Sequence, residues 1–427
     1  MDSTTFLVIA IIAIGVLSFL LFLALFEPGL DYKISTKPAA PLDSEEFICQ
    51  LEALTDAKAN RRNCIEVLTN GEVYYEAELK AIRAAKKSVN LEAYIFQKGE
   101  VGQKFVEALT ERARNGVEVR LTLDAIGSFA TWDSYLKELY DAGGRVGWYH
   151  PFRWYTLPRI NNRTHREIIV VDGQIGFVGG SGFADHWLKG KKNSPPWRDT
   201  MFRIEGDAVS SIQSTFVENW LEASGEILTG EGFFSFNEPE GCETAALIVN
   251  SSPSMGRSTR ARILYQTLLA SAQDKLHITT PYFLPDRSVR AELVRAIRER
   301  GVEVKIIVPG HHTDHMLTRR SSRRLFGDLL KAGARIYEYQ AAMIHAKTMM
   351  IDGLWSVVGS SNLDNRSFGL NDEINLAARD EALTARLEED FARDLAESRE
   401  VTYDEWRRRS IFERAHEWLG WLLERQQ

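Results

Sequence analysis

His345, Ala346 and Lys347 are followed after four residues by Asp352, and after six more by Gly359, Ser360, Ser361 and Asn362. Alternate residues of an extended chain share a face, so the imidazole of His345 and the ammonium of Lys347 point the same way. Beside a phosphodiester, that imidazole can attack phosphorus or deliver a proton, and the ammonium can stabilise the phosphate's negative charge. Ser360 and Asn362, two apart on a returning strand, would add neutral donors to the same oxygens. Asp352 falls in the turn between the strands, where hydrogen bonding to the backbone is the ordinary role.

The elements that must carry these residues occur twice. A charged helical stretch over 77–86, the strand-like SVNLEAYIF, the helix GQKFVEALTERARNG and the β-branched VEVRLTL are matched by RARILYQTLLASAQDK, LHITTPYFLP, RAELVRAIRERG and VEVKIIV. Gly116 and Gly301 stand before the two VEV strands, 185 residues apart, as glycine caps. Each copy closes on a hairpin with Asp-Gly at its turn, REIIVVDGQIGFVGG and AKTMMIDGLWSVVGS. Alternation at this spacing predicts two α/β units, each a sandwich with its sheet between helical layers.

The HxKxxxxD pattern with its GSxN tail resembles the phospholipase D superfamily. LEAYIF, WRDTMFRIEG, PYFLPD and GSSNLDNRS look more narrowly like bacterial cardiolipin synthases, over about Glu66 to Asp404 and the N-terminal anchor. The resemblance implies two homologous phospholipase D-like α/β sandwich domains sharing one active site, with neither metal nor other cofactor. One His would become a covalent phosphohistidine while the other protonates the departing alcohol. His345 then needs a partner in the first repeat, and His165 lies 180 residues earlier, with Asp172 at the spacing of Asp352. By family analogy His165 is the nucleophile and His345 the acid; the reverse order stays open because Lys347 and Asn362 surround only His345. Asp199, within WRDT, and Glu373, within NDEINL, match the carboxylates that orient the ring nitrogens. The implied reaction joins two phosphatidylglycerol molecules, or a related phospholipid pair.

The first repeat departs from the pattern twice, with Glu167 where Lys belongs and Gly182 where Asn belongs. A carboxylate beside a phosphate costs energy in a partly dehydrated cleft. Glu167 could bind an alcohol substrate or an adjacent Arg, or it could take up a proton and donate a hydrogen bond, or the site could be catalytically silent and bind lipid headgroups only. A phospholipase D hydrolase that releases phosphatidic acid is a further alternative, since the motif does not fix the acceptor.

The whole chain sets the context. At 427 residues it holds two to three domains. Its formal charge of −7 argues against coating nucleic acid through bulk charge. Phe6 to Phe26 carries no charge and is long enough for a single membrane-spanning helix. A cleaved signal peptide fits less well, because Met1–Thr5 has no basic residue and Leu25–Pro28 is a poor cleavage site. The expected organisation is an anchor over 1–27, a linker and lead-in over 28–65, domains over 66–240 and 241–404, and an amphipathic helix over 405–427. Lys33 and Lys37 after the anchor favour a cytoplasmic body at a bacterial inner membrane. Cys49, Cys64 and Cys242, with no CxxC pair, read as free thiols and agree with that placement. The partners expected are anionic phospholipid and the bilayer. PFRWYTLPRI over 151–160 reads as an interfacial loop or an aromatic cover for the first repeat. Arg407–Arg409 and the stripe of Ile411, Ala415, Trp418 and Leu422 read as a helix packed on the body or lying on lipid. Arg319, Arg320, Arg323 and Arg324 are a basic helical face that could guide anionic lipid. His311, His312, Asp314 and His315 fit a strand-end loop better than a metal site.

Overall fold

The computed structural model describes residues 3–26, 32–35, 40–154, 156, 159, 161–190, 194–235, 239–253, 259–414 and 417. Two mixed sheets dominate it. The first runs Asn63–Thr69, Thr200–Gly206, Ile175–Gly179, Ile168–Val171, Ser88–Ala93, Glu118–Asp124, Arg145–Tyr149. The second repeats that order as Ala245–Ser251, Glu373–Arg379, Trp355–Gly359, Thr348–Ile351, Lys275–Thr279, Glu303–Pro309, Arg335–Tyr339, with Ala59–Asn60 and Ser398–Val401 added at its edges. In each sheet the last three of these seven strands are parallel and the others pair antiparallel.

Strand alternation sorts the side chains into layers. Ile169 and Val171 face outward under the helices Gly71–Ala84 and Glu100–Arg114, while Ile168 and Val170 face inward. In the second sheet Ala245, Leu247 and Val249 face outward, and Ala246 and Ile248 face inward. The inward sets of both sheets merge with Ile374, Leu376 and Ala378 into one core shared by the halves. Each such aliphatic side chain contributes about 1.5–3 kcal/mol on burial, and a one-residue slip would exchange both faces of a strand, so the register is fixed.

Two expected turn features appear. Gly116 and Gly301 both have positive φ, 83° and 73°, after the helices Glu100–Arg114 and Arg287–Arg300. The hairpin turns hold Asp172 and Gly173 at φ 55° and 64°, and Asp352 and Gly353 at 52° and 70°, the left-handed pair that tight hairpins require.

The lead-in behaves unlike a linker. Helix Glu45–Thr55 buries Phe47, Ile48 and Leu51 in the outer core of the second half, where the Phe47 ring meets Trp355 edge-on at 5.6 Å. Ala59–Asn60 then pairs with Leu247 and Ala246 before the chain enters the first sheet. The start of the body is thus stitched to its far half.

The expectation of three free thiols is corrected. Cys64 and Cys242 form a disulfide with Cα atoms 5.1 Å apart, and Cys49 is free and exposed. A separation of 178 residues hides this pairing in the sequence. Asn63 brings the segments together, its Nδ2 donating to the carbonyl of Thr244 at 2.9 Å.

Among the described residues no helix is long and apolar enough to cross a membrane. The N-terminal helix runs Ser3–Phe26. Along that stretch Phe6, Leu7, Ile11, Ile12, Ile14 and Leu17 are exposed. Of the C-terminal stripe, Ile411 is exposed, while Ala415, Trp418 and Leu422 lie outside the described residues.

Candidate active site

Both histidines sit in extended segments just ahead of the strands Ile168–Val171 and Thr348–Ile351, and each segment is held by the other half. His165 N donates to Asp372 O at 2.9 Å, and Asp372 N donates to Arg163 O at 2.9 Å. The second pairing repeats this: His345 N to Arg198 O at 2.7 Å, and Arg198 N to Met343 O at 2.8 Å. The residue after each bridging partner supplies the carboxylate. His165 Nδ1 donates to Glu373 Oε2 at 3.1 Å, and His345 Nδ1 donates to Asp199 Oδ2 at 2.8 Å. Each half therefore provides one imidazole and the carboxylate that orients the other half's imidazole.

His165, Glu167, His345 and Asn362 line one cleft of about 330 Å³ between the halves. Tyr94 meets His165 edge-on at 5.4 Å, and Tyr282 meets His345 at 6.4 Å, so LEAYIF and PYFLPD occupy matching places. Trp187 and Trp197 pack against His345 at 5.4 and 5.3 Å, and Trp187 Nε1 also donates to Asp199 Oδ2 at 3.1 Å.

Lys347 is buried, with Nζ 3.0 Å from His345 Nδ1 and 3.2 Å from Nε2, and it donates to His345 O at 2.8 Å. Burial and then the Lys347 charge hold the His345 pKa below its ordinary value, against the pull of Asp199. Burial works to raise the Asp199 pKa, but the hydrogen bond from His345 and the Lys347 charge keep it below the usual range. The resting pair is a neutral imidazole on an ionised carboxylate. Lys347 itself is lowered by burial, opposed by Asp199 and Glu373. Gly180 makes room for this arrangement, since a Cβ there would lie 2.9 Å from Lys347 Cδ and 3.0 Å from its Nζ.

The other motif residues separate by role. Asp172 accepts backbone N–H bonds from Lys86, Lys87 and Ser88, and Asp352 does the same for Gln273, Asp274 and Lys275. Both sit in the hairpin turns and neither lines the cleft, so the motif aspartates pin each turn to the start of a neighbouring strand. Strand Trp355–Gly359 ends before Ser360, which donates to Glu373 Oε2 at 2.5 Å instead of facing the cleft. Asn362 Oδ1 is buried and has no hydrogen-bond partner among the described residues.

The two departures of the first repeat are neighbours in space. Glu167 Oε1 accepts from Tyr94 N at 3.2 Å and Ile95 N at 3.5 Å, while its buried Oε2 has no partner among the described residues. A Cβ on Gly182 would lie 2.7 Å from Ile95 O and 3.2 Å from Glu167 Oε1, so the missing side chain leaves the space that the carboxyl occupies. Burial raises the Glu167 pKa well above the carboxylate range despite the two backbone donors and Lys347.

Sequence reasoning missed several cleft residues. Asp364, within GSSNLDNRS, is buried and pushed up to about 6, and Arg163 and Arg366 also line the cleft. Arg163 pairs with Asp124 at 3.2 Å, a contact between strand ends that spacing does not reveal. Asp314 and His315 of the strand-end loop reach the cleft as well, with Tyr282 OH donating to Asp314 Oδ2 at 2.5 Å. The basic face is partly committed elsewhere: Arg319 and Arg323 both pair with the buried Glu338.

Known proteins resemble this chain in fold and in sequence. The fold matches the crystal structure of the phosphatidylserine synthase of Haemophilus influenzae, with a TM-score of 0.64 at 16% identity, over 90% of this chain and 100% of that one. A family model described as cardiolipin synthase, phospholipase D-like domain matches residues 79–194 and 265–395. The chain is 35% identical over 362 residues to cardiolipin synthase 1 of Bacillus cereus, covering 83% of this chain and 70% of that one. It is 34% identical over 387 residues to the major cardiolipin synthase of Bacillus subtilis, covering 90% and 80%. The chain belongs to the cardiolipin synthase family of phospholipase D-like proteins.

Burial that raises the Glu167 pKa favours the neutral, protonated carboxyl, which would not repel a phosphate. Glu167→Gln, which keeps shape and neutrality, is expected to retain turnover within about threefold, and Glu167→Lys, which adds a second cation near Lys347, to lose about tenfold or more. Initial rates of the purified variants decide it. Unchanged or higher activity in Glu167→Lys would rule out a productive carboxyl.

Proposed function

We propose that this protein is a phosphatidyltransferase that joins two phosphatidylglycerol molecules into cardiolipin through a phosphohistidine. The observation that carries the reading is the pair of imidazoles on one cleft, each oriented by a carboxylate from the opposite half. Two-step displacement needs two such bases, one to bond phosphorus and one to move protons.

We place the nucleophile on His345, the reverse of the family analogy. A nucleophile must be unprotonated, and burial together with Lys347 keeps His345 neutral. Lys347 also lies where charge on the phosphoryl oxygens would develop. His345 Nε2 attacks phosphorus, the phosphorus–oxygen bond to glycerol breaks, and His165 gives its proton to the leaving oxygen. The glycerol hydroxyl of a second phosphatidylglycerol then gives its proton to His165 and displaces the histidine, releasing cardiolipin.

The N-terminal helix is read as a membrane anchor because Phe6–Phe26 carries no charge and its described apolar side chains are exposed. The disulfide favours a body outside the cytoplasm, since thiols in a reducing compartment stay unpaired. That outweighs the two lysines after the anchor.

Protein reconstituted in phosphatidylglycerol vesicles should yield cardiolipin plus glycerol by mass spectrometry. Phosphatidic acid plus glycerol would mean a hydrolase, and no turnover a silent scaffold. Acid-quenched intermediate should map by peptide sequencing to His345, and label on His165 would overturn this order.

The pH profile offers a separate check. Because the cation depresses the His345 pKa, neutral imidazole persists to lower pH than in a free histidine. Removing it in Lys347→Met should lower the rate and shift the acid limb toward higher pH. An unmoved limb would dissociate Lys347 from the protonation of His345. For orientation, a membrane-impermeant maleimide applied to intact spheroplasts should label Cys49, with Cys64 and Cys242 joining only after reduction. Protection of Cys49 until lysis would place the body inside.

A further inference from the structure

In each half the parallel strands end at the cleft. Glu118–Asp124 and Arg145–Tyr149 run side by side, so the loops that leave them emerge at the same edge of the first sheet. Asp124 at that edge pairs with Arg163, which lines the cleft. The two loops carry strongly exposed aromatic side chains: Phe129 at 69%, Trp132 at 64%, Phe152 at 78% and Trp154 at 83%. In the second half Lys275–Thr279 and Glu303–Pro309 are also parallel, and the segments leaving them bring Tyr282, Asp314, His315 and Thr318 to the cleft wall. Beside these cleft residues Met316 and Leu317 are exposed. Apolar side chains from both halves thus stand at the cleft end of the molecule, where a soluble surface would place polar ones.

A second observation fixes what covers them. The chain leaves the N-terminal helix at Phe26 and is next placed at Tyr32, whose N–H donates to Ser288 Oγ at 2.9 Å and whose ring lies under the Arg262 guanidinium at 4.2 Å. Ser288 opens helix Arg287–Arg300, which begins soon after strand Lys275–Thr279 and so lies at the same end of the second sheet as the cleft. Six residue steps span at most about 22 Å. The end of the anchor is therefore tethered to the cleft end of the body, not to its far side.

We propose that Phe129, Trp132, Phe152 and Trp154, with Met316 and Leu317 opposite, form a rim that enters the headgroup region of the bilayer and opens the cleft directly onto lipid. Aromatic side chains prefer that interface because an apolar ring and a polar edge are both satisfied there. The rim also meets a need of the acidic body: with a formal charge of −7, long-range electrostatics would push it from an anionic surface, and apolar insertion holds the cleft against that repulsion. The proposal rests on the lipid-transfer reading and extends it to where the substrate enters.

The test compares two forms of one substrate on the full chain. Phe129→Ser/Trp132→Ser and Phe152→Ser/Trp154→Ser are expected to lose about tenfold or more of the turnover of long-chain phosphatidylglycerol in proteoliposomes. With dihexanoyl phosphatidylglycerol below its micellar concentration both should match the parent, which shows an intact catalytic centre. Unchanged vesicle turnover, or equal loss on both substrates, would overturn the rim. An environment-sensitive NBD probe on Phe129→Cys in a Cys49→Ser background gives a reading independent of catalysis, with a blue shift expected in proteoliposomes relative to detergent-free buffer-exposed standards. A solvent-like emission from protein that resists alkaline carbonate extraction would also overturn it. Loss of the protein on extraction would sink the anchor, and absence of turnover on either substrate the transfer reading, while the probe still reports on the rim.

Discussion

The reciprocal bond between each histidine and a carboxylate of the opposite half is the constraint around which the molecule is organised. It cannot form within one half, because His165 and Asp199 both belong to the first half, yet each finds its partner across the shared core, in Glu373 and His345. The backbone bridges beside these side chains, Thr164 with Asp372 and Arg198 with Ile344, set the two segments in register before any side chain is considered. Small errors in how the sheets pack would therefore appear directly as errors in imidazole orientation, where positioning effects on rate are large. The inward faces of both sheets, with Ile168, Val170, Ile374 and Leu376 in one core, supply the stiffness that this requires.

Symmetry of fold coexists with asymmetry of chemistry. His345 has a buried cation beside it and two indole rings against it, whereas His165 has a tyrosine edge and a buried carboxyl across the same cleft. Two histidines on matching backbones thus stand in different surroundings. The exchange of Lys for Glu at 167 and the loss of a side chain at 182 belong to one local repacking, since each occupies or vacates the space of the other.

Much of this was legible in the residues. The doubled succession of helices and strands, the Asp-Gly turns and the glycine caps follow from periodicity and spacing that local sequence encodes, and the pairing of His165 with His345 follows from the resemblance to phospholipase D-like proteins. What escaped the sequence was contact between distant segments. The Cys64–Cys242 bond, the seat of Phe47 beside Trp355 and the pairing of Arg163 with Asp124 depend on how sheets meet, and no local pattern carries that information. At Asp172 and Asp352 the turn position already pointed to backbone hydrogen bonding, and each carboxylate accepts N–H bonds from three residues of a neighbouring segment. Asp364 lay within GSSNLDNRS, but its significance needs burial, which composition alone does not supply.

The seat of helix Glu45–Thr55 against the second half has a consequence for biosynthesis. Phe47 and Leu51 leave the ribosome roughly three hundred residues before Trp355, their neighbour in the finished core. At about 5–20 residues per second that is an interval of tens of seconds, during which this apolar face has no partner. The first sheet can assemble in that time while the lead-in waits for its partner. Completion of the second half then draws the lead-in onto its edge, so the last step of folding closes the chain onto its own beginning.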